Sequence, residues 1–216
     1  MPNTLFTELL LSTWQTCYMV GVSGALAILL GTPIGVLLIT TRTGGILQHK
    51  TLNATLASLV NIGRSIPFII LLVAIIPFTR FVVGTSIGTT AAIVPLTVGA
   101  IPFFARIVEN ALEEIPYGLI EAGLAMGATP YQIIQKILLP EARVSLVNGA
   151  TVTIITLVNY SAMAGVVGGG GLGDLAIRYG YQRFDLNIML TTIAILIVLV
   201  QLIQVLGDTI ARRLSH

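Results

Sequence analysis

Long runs without a charged side chain dominate the chain. They cover Leu9–Thr41, Phe81–Ala105, Val144–Gly173 and Leu186–Gly207, and a fifth, Thr51–Thr79, is interrupted only by Arg64. Each exceeds the roughly 20 residues a helix needs to cross the hydrocarbon core of a bilayer. A membrane β-barrel would show segments of about ten residues in strict alternation, and that pattern is absent. The hydrocarbon offers no partner to backbone N–H and C=O groups, so these runs must be helices. The pattern therefore predicts an all-α integral membrane protein, one transmembrane domain over residues 1–216. Its five spans fall at about 12–40, 52–79, 88–110, 146–167 and 186–209. One long non-spanning segment, about 113–143, connects the third and fourth.

Composition agrees. Hydrophobic residues make up 55% and charged residues 9%, where a soluble domain carries about a quarter charged residues. The single Cys17 excludes a disulfide framework and reads as a small packed residue rather than a reactive thiol. The N-terminal apolar run lacks a preceding Lys or Arg and is too long for a signal peptide, so it reads as a retained first helix. Basic residues give an orientation. Arg42, Lys50, Lys136, Arg143, Arg212 and Arg213 fall on one side of a five-span chain, and Arg80, Arg178 and Arg183 on the other. Lys and Arg concentrate on the cytoplasmic side. This predicts an N-terminus outside and a C-terminus in the cytoplasm of a bacterial inner membrane.

The spans are not plain anchors. Ala27, Gly31 and Gly35 line small residues along one face of the first, a seam for another helix of this chain or of a second subunit. Pro33, Pro67, Pro77, Pro95 and Pro102 fall in or beside spans, where each removes a helical hydrogen bond. Arg64 is the sharpest anomaly. An arginine at mid-membrane costs about 2.5–3.5 kcal/mol on insertion scales. Either the second helix enters the membrane only near Ser65 and Arg64 reaches the headgroups, or Arg64 lines a vestibule. Glu109 and Arg106 are the nearby groups it could meet.

Several chemistries are excluded. Gly168, Gly170 and Gly173 satisfy G-x-G-x-x-G, but they follow a span rather than a strand of a βαβ unit, and they read as a flexible outer turn between spans four and five. No G-x-x-x-x-G-K-[ST] occurs, so the chain has no P-loop. His49 and His216 are far apart, and no metal site, cofactor or nucleic-acid partner can be argued.

The segment between spans three and four is the most informative. Local rules divide it into two short helices. The first runs from about Tyr117 to Met126 and stops at Gly127 as a left-handed C′ residue. The second opens with Thr129 as N-cap, Pro130 at N1 and Gln132 at N3, a capping box. Pro140 ends it or begins a new helix. Leu119, Ile120, Leu124 and Met126 on the first helix, and Ile133, Ile134, Ile137 and Leu138 on the second, need a cover. That cover is either the membrane helices of this chain or a groove on a separate protein.

The spacing Glu121-Ala122-Gly123-x3-Gly127-x9-Ile137-x-Leu139-Pro140 resembles the EAA motif of ABC importer permeases, E-A-A-x3-G-x9-I-x-L-P, with Gly123 in place of the second alanine. The likeness extends over nearly the whole chain. Arg64–Leu72, Ile76–Arg80, Val83–Gly88, Ala91–Thr97 and Arg106–Leu112 are similar to the methionine-type branch of these permeases. The resemblance implies a five-helix permease working as a homodimer with two copies of a separate ATPase subunit. A periplasmic binding protein or lipoprotein would deliver methionine or a close relative. Glu121, Ala122, Gly123, Gly127, Ile137, Leu139 and Pro140 would then form the coupling loop that seats in the ATPase, and the chain itself would perform no catalysis. For the pathway, the polar and sulfur-bearing cluster Asn159, Tyr160, Ser161 and Met163 in the fourth span is expected to face a cavity, together with Arg64. The runner-up is a permease for another amino acid, short peptide or related solute. A secondary transporter would need membrane-embedded acids and internal repeats, and neither is present. A membrane scaffold would leave the proline breaks unexplained.

Overall fold

The structure, a computed structural model, describes residues 2–215, and every element among them is helical. Four helices are long and apolar enough to cross a membrane. They are α1 (Pro2–Thr41), α5 (Thr89–Glu113), α9 (Arg143–Val166) and α11 (Leu186–Leu214). At about 1.5 Å per residue, the 40-residue α1 exceeds the thickness of the hydrocarbon core and must tilt or project from it.

The second apolar stretch is not the single span expected. It is divided into α2 (Lys50–Ser65), α3 (Phe68–Ala74) and α4 (Ile76–Val83), and α2 and α3 meet at a bend of 101°. Proline chemistry explains the break. The ring of Pro67 keeps Ile66 out of the helical region, and Ile66 is extended at φ −83°, ψ 122°. A second break falls at Ile75, one residue before α4 restarts with Pro77 in its first turn. Pro95 and Pro102 lie inside α5 without ending it.

The main seam joins α1 to α5. Gly31 lies against Phe104, Ile101 and Ala105, and at Gly35 an added Cβ would sit 2.6 Å from the Ala105 carbonyl. The Ala27–Gly31–Gly35 stripe thus packs within the chain. Met19, Ala27, Leu96, Ala100, Leu157 and Ala164 fill the centre, with Phe68 and Leu72 of α3 inserted among them. A second cluster, Val36, Phe104, Val108 and Leu112, continues downward into Ile133 and Leu138 of the segment between α5 and α9. Helix α11 packs on α9 through Gly207, where a Cβ would collide with Thr151. Its remaining surface, including Leu190, Ile197, Leu202 and Leu206, is exposed. In water that surface would be an aggregation hazard; in a bilayer it meets lipid.

The glycine segment after α9 departs from expectation. It is not a loose outer turn but a buried hairpin. Gly168, Gly170 and Gly171 have positive φ, and α10 (Gly171–Leu175) folds back along the end of α9. Gly165 and Gly173 permit this, since a Cβ at either would lie under 2.5 Å from backbone of the opposing strand of chain. The Gly171 and Leu172 N–H groups donate to Gln15 Oε1 and Thr16 Oγ1 of α1, each at 2.9 Å. Leu172 and Leu175 are fully buried.

Candidate functional site

Two places on this scaffold hold the residues singled out by sequence. The first is the corner between α5 and α9. Helix α6 (Tyr117–Ala125) ends in a Schellman arrangement: the Gly127 N–H donates to Leu124 O and the Ala128 N–H to Gly123 O, with Gly127 at φ 78°. Helix α7 (Pro130–Ile133) begins with the capping box, Gln132 N–H to Thr129 Oγ1 and Thr129 N–H to Gln132 Oε1. The chain then takes a π turn over Ile134–Leu138 and a short α8 (Leu139–Glu141) before α9. Pro140 accounts for the π turn, because it has no N–H to give to the carbonyl four residues back.

This corner has two faces. Ile133 and Leu138 are buried against Val36, Phe104 and Leu112, and Ile134, Ile137 and Leu139 pack beside them. Gly123 is buried on the same side, where a Cβ would come 2.7 Å from the Ile137 terminal methyl. The glycine that departs from the family pattern therefore accommodates Ile137. The opposite face is bare: Leu119, Leu124 and Met126 are exposed, Met126 by 81%. Glu121 and Ala122 stand on it, and Gly127 and Pro140 are also exposed. Glu121 belongs to none of the ion pairs among the described residues. Of the two covers anticipated from sequence, the helices of this chain take the inner face, and the outer face stays uncovered. An Arg42–Glu113 ion pair ties the end of α1 to the end of α5 above the corner. It is solvent-exposed and worth at most about 1 kcal/mol.

The second place is a cavity of about 210 Å³ at the α2–α3 bend. Arg64, Phe68, Gly99, Phe103 and Tyr160 border it. Phe68 and Tyr160 stack face to face with centroids 4.4 Å apart. Gly63 lets α2 approach Pro102 of α5, which sets Arg64 at the rim. Arg64 is exposed at the last turn of α2 and makes no ion pair among the described residues. Glu109 and Arg106, the two groups it could meet, pair with each other on α5, and Arg106 also donates to Asn61 Oδ1 at 2.7 Å. The i, i+3 spacing on one helix brings those two groups together without any tertiary adjustment.

The fourth-span cluster does not stay together. Only Tyr160 reaches the cavity with Arg64. Ser161 is buried and donates to Val158 O within its own helix. Asn159 opens on a separate groove between α9 and α11, opposite Gln201. Met163 is exposed and borders neither cavity. The cause is helical geometry: four residues within five positions, at 100° per step, point to different sides. Phe68, Phe103 and Gln201 escaped notice because apolar or singly polar residues in a span carry no local signal. Among the described residues no three His, Cys, Asp or Glu side chains gather as metal ligands would.

The family described as the inner membrane component of binding-protein-dependent transport systems matches residues 27–216. A probable D-methionine transport system permease protein of Vibrio cholerae is 61% identical over 96% of this chain and 92% of its own length. The relative of that description in Pasteurella multocida is 53% identical over 95% of both chains. The D-methionine transport system permease protein of Escherichia coli K12 is 61% identical over 76% of each. Among solved structures, an inward-facing MetNI methionine ABC transporter chain matches with a TM-score of 0.98 at 56% identity, over all of both chains. A chain of an amino acid ABC transporter with histidines shares the fold at a TM-score of 0.80 and 18% identity. With a corner that buries one face and bares the other, on a bundle suited to lipid, this chain belongs to the inner membrane components of binding-protein-dependent transport systems.

Proposed function

We propose that the chain is the permease subunit of an ATP-driven importer of methionine and close relatives. Two copies enclose the pathway, two copies of a separate ATPase supply the energy, and an extracytoplasmic binding protein or lipoprotein delivers substrate. The substrate reading rests on the names of the relatives, which specify the D-enantiomer in several cases. The observation that carries the mechanism is the two-faced corner. Its inner face is locked to α1 and α5 by Ile133 and Leu138, so any displacement of the corner is transmitted to those helices as a packed body. Its outer face offers Leu119, Leu124 and Met126 around the Glu121 carboxylate, an apolar patch with one charge, suited to a groove on a partner. On this reading Glu121, Ala122, Gly123, Gly127, Ile137, Leu139 and Pro140 make up the coupling loop, on the cytoplasmic side with the C-terminus, and the N-terminus lies outside. Arg64 and Tyr160 line the pathway. ATP hydrolysis resides in the partner.

The test is ATP-dependent uptake of labelled methionine, both enantiomers, into proteoliposomes holding this chain, its co-purifying ATPase and its binding protein. Glu121→Arg should abolish uptake while leaving the chain in the membrane, because reversal places a charge of the wrong sign in the partner's groove. Uptake that survives the reversal would remove the corner from the coupling role. Uptake of a different solute with methionine ignored would favour the runner-up, a permease for another amino acid or short peptide.

A further inference from the structure

We infer that the cavity at the α2–α3 bend is a recognition site for an α-amino acid carrying an apolar or thioether side chain. In it the Arg64 guanidinium receives the carboxylate, and Phe68, Phe103 and Tyr160 receive the side chain. This rests on the importer reading above and assigns its selectivity to named groups.

Four observations converge. Among the described residues that border the cavity Arg64 is the one cation, it is exposed, and no ion pair among the described residues occupies it. A guanidinium beside apolar helices calls for something anionic or aqueous to meet it, and its planar fork matches a carboxylate in two hydrogen bonds. Glu109, the acid its sequence position offers, is ion-paired with Arg106 of its own helix.

The opposite wall is aromatic. Phe68 and Tyr160 stack at 4.4 Å, and Phe103 borders the same space. Thioether sulfur makes favourable contacts with aromatic rings, worth about 0.3–1.5 kcal/mol. The cavity holds about 210 Å³. That admits a small amino acid and little more, below the roughly 300–1,000 Å³ of pockets for drug-sized ligands.

The walls are also fixed. The Phe68 ring rests on Gly99, where a Cβ would stand 3.4 Å from it, and Gly63 meets Pro102 closely. Finally, α2 ends at Ser65 beside the cavity, so its last carbonyls lack helical partners. They provide acceptors and the negative end of a 16-residue helix for the ammonium group.

The experiment uses the intact permease–ATPase complex without binding protein, labelled with a diazirine analogue of methionine and mapped by peptide mass spectrometry. Label should fall on peptides containing Phe68, Phe103 or Tyr160. Excess methionine should block it, and methioninol, which lacks the carboxylate, should not. Arg64→Gln should cut the labelling at least tenfold and make methionine as poor a competitor as methioninol. Arg64→Lys should restore part of both. Label confined to other peptides, or labelling by the Arg64→Gln complex that methionine still blocks with wild-type potency, overturns the assignment. If Arg64→Gln lowers labelling while methionine keeps its advantage over methioninol, Arg64 is structural only, and the assignment again falls. The importer reading is judged separately by wild-type uptake of methionine, which none of these outcomes alters.

Discussion

The α1–α5 seam is testable by adding one methyl group. In Gly35→Ala the new Cβ would lie 2.5 Å from Val108 Cβ and 2.6 Å from Ala105 O. Carbon contacts are comfortable at about 3.5–4.0 Å, so the shortfall is about 1 Å. Neither neighbour can swing aside, because one is backbone and the other is the branch point of a β-branched side chain. The helices must part locally. A separation of that size forfeits roughly a quarter to a half of the dispersion energy along the affected contacts. Overpacking of this kind costs about 1–3 kcal/mol. The same substitution at Gly21, on the same helix, meets nothing within 4 Å. There it should be neutral or gain up to about 1 kcal/mol from helix propensity. At roughly 2–4 °C per kcal/mol for a chain of this size, Gly35→Ala should melt on the order of 5–10 °C below Gly21→Ala. Thermal scans of the detergent-purified protein by fluorescence-detected gel filtration would read the gap. Coincident melting of the two variants would refute the seam.

Thr129→Ala removes the capping box and should destabilise the start of α7 by about 0.5–2 kcal/mol, seen as faster hydrogen exchange over residues 129–133 with little change elsewhere. Gln15→Leu with Thr16→Val strips the acceptors from the Gly171 and Leu172 N–H groups, each a loss of about 1–3 kcal/mol when left buried; hydrogen exchange over residues 168–175 should quicken in that variant with little change in α5. Ser161→Ala should leave uptake unchanged because its hydroxyl bonds only to its own helix, whereas Tyr160→Leu, which removes half of the stack on Phe68, should raise the uptake KM for methionine.

Much of the corner between α5 and α9 could be read in the sequence because its signals are local. Gly127, Thr129, Pro130 and Gln132 act through their own backbone within four residues, and each takes the form its chemistry dictates. The membrane class was equally secure, since the length of an uncharged run and the thickness of a bilayer are the only quantities involved. Arg64 stood out for the same reason: its charge is anomalous wherever the helix ends.

The rest depended on what lies opposite each residue. The sequence alone determined that the chain forms long apolar helices of membrane-spanning length, and how the Glu121–Pro140 corner turns. It left open whether the Ala27–Gly31–Gly35 stripe meets this chain or another, and it hid the way the second span folds over on itself at Pro67. Only the tertiary structure decided that Arg106 also reaches Asn61 of α2, that the glycine run is a buried hairpin clasped by Gln15 and Thr16, and that Tyr160 joins Phe68 while Asn159 faces away. The physical reason is one of range. Hydrophobic length and capping are properties of neighbours along the chain. A close approach such as Gly35 on Ala105, or a stack such as Phe68 on Tyr160, joins residues about 70 to 90 positions apart, and no local pattern records it.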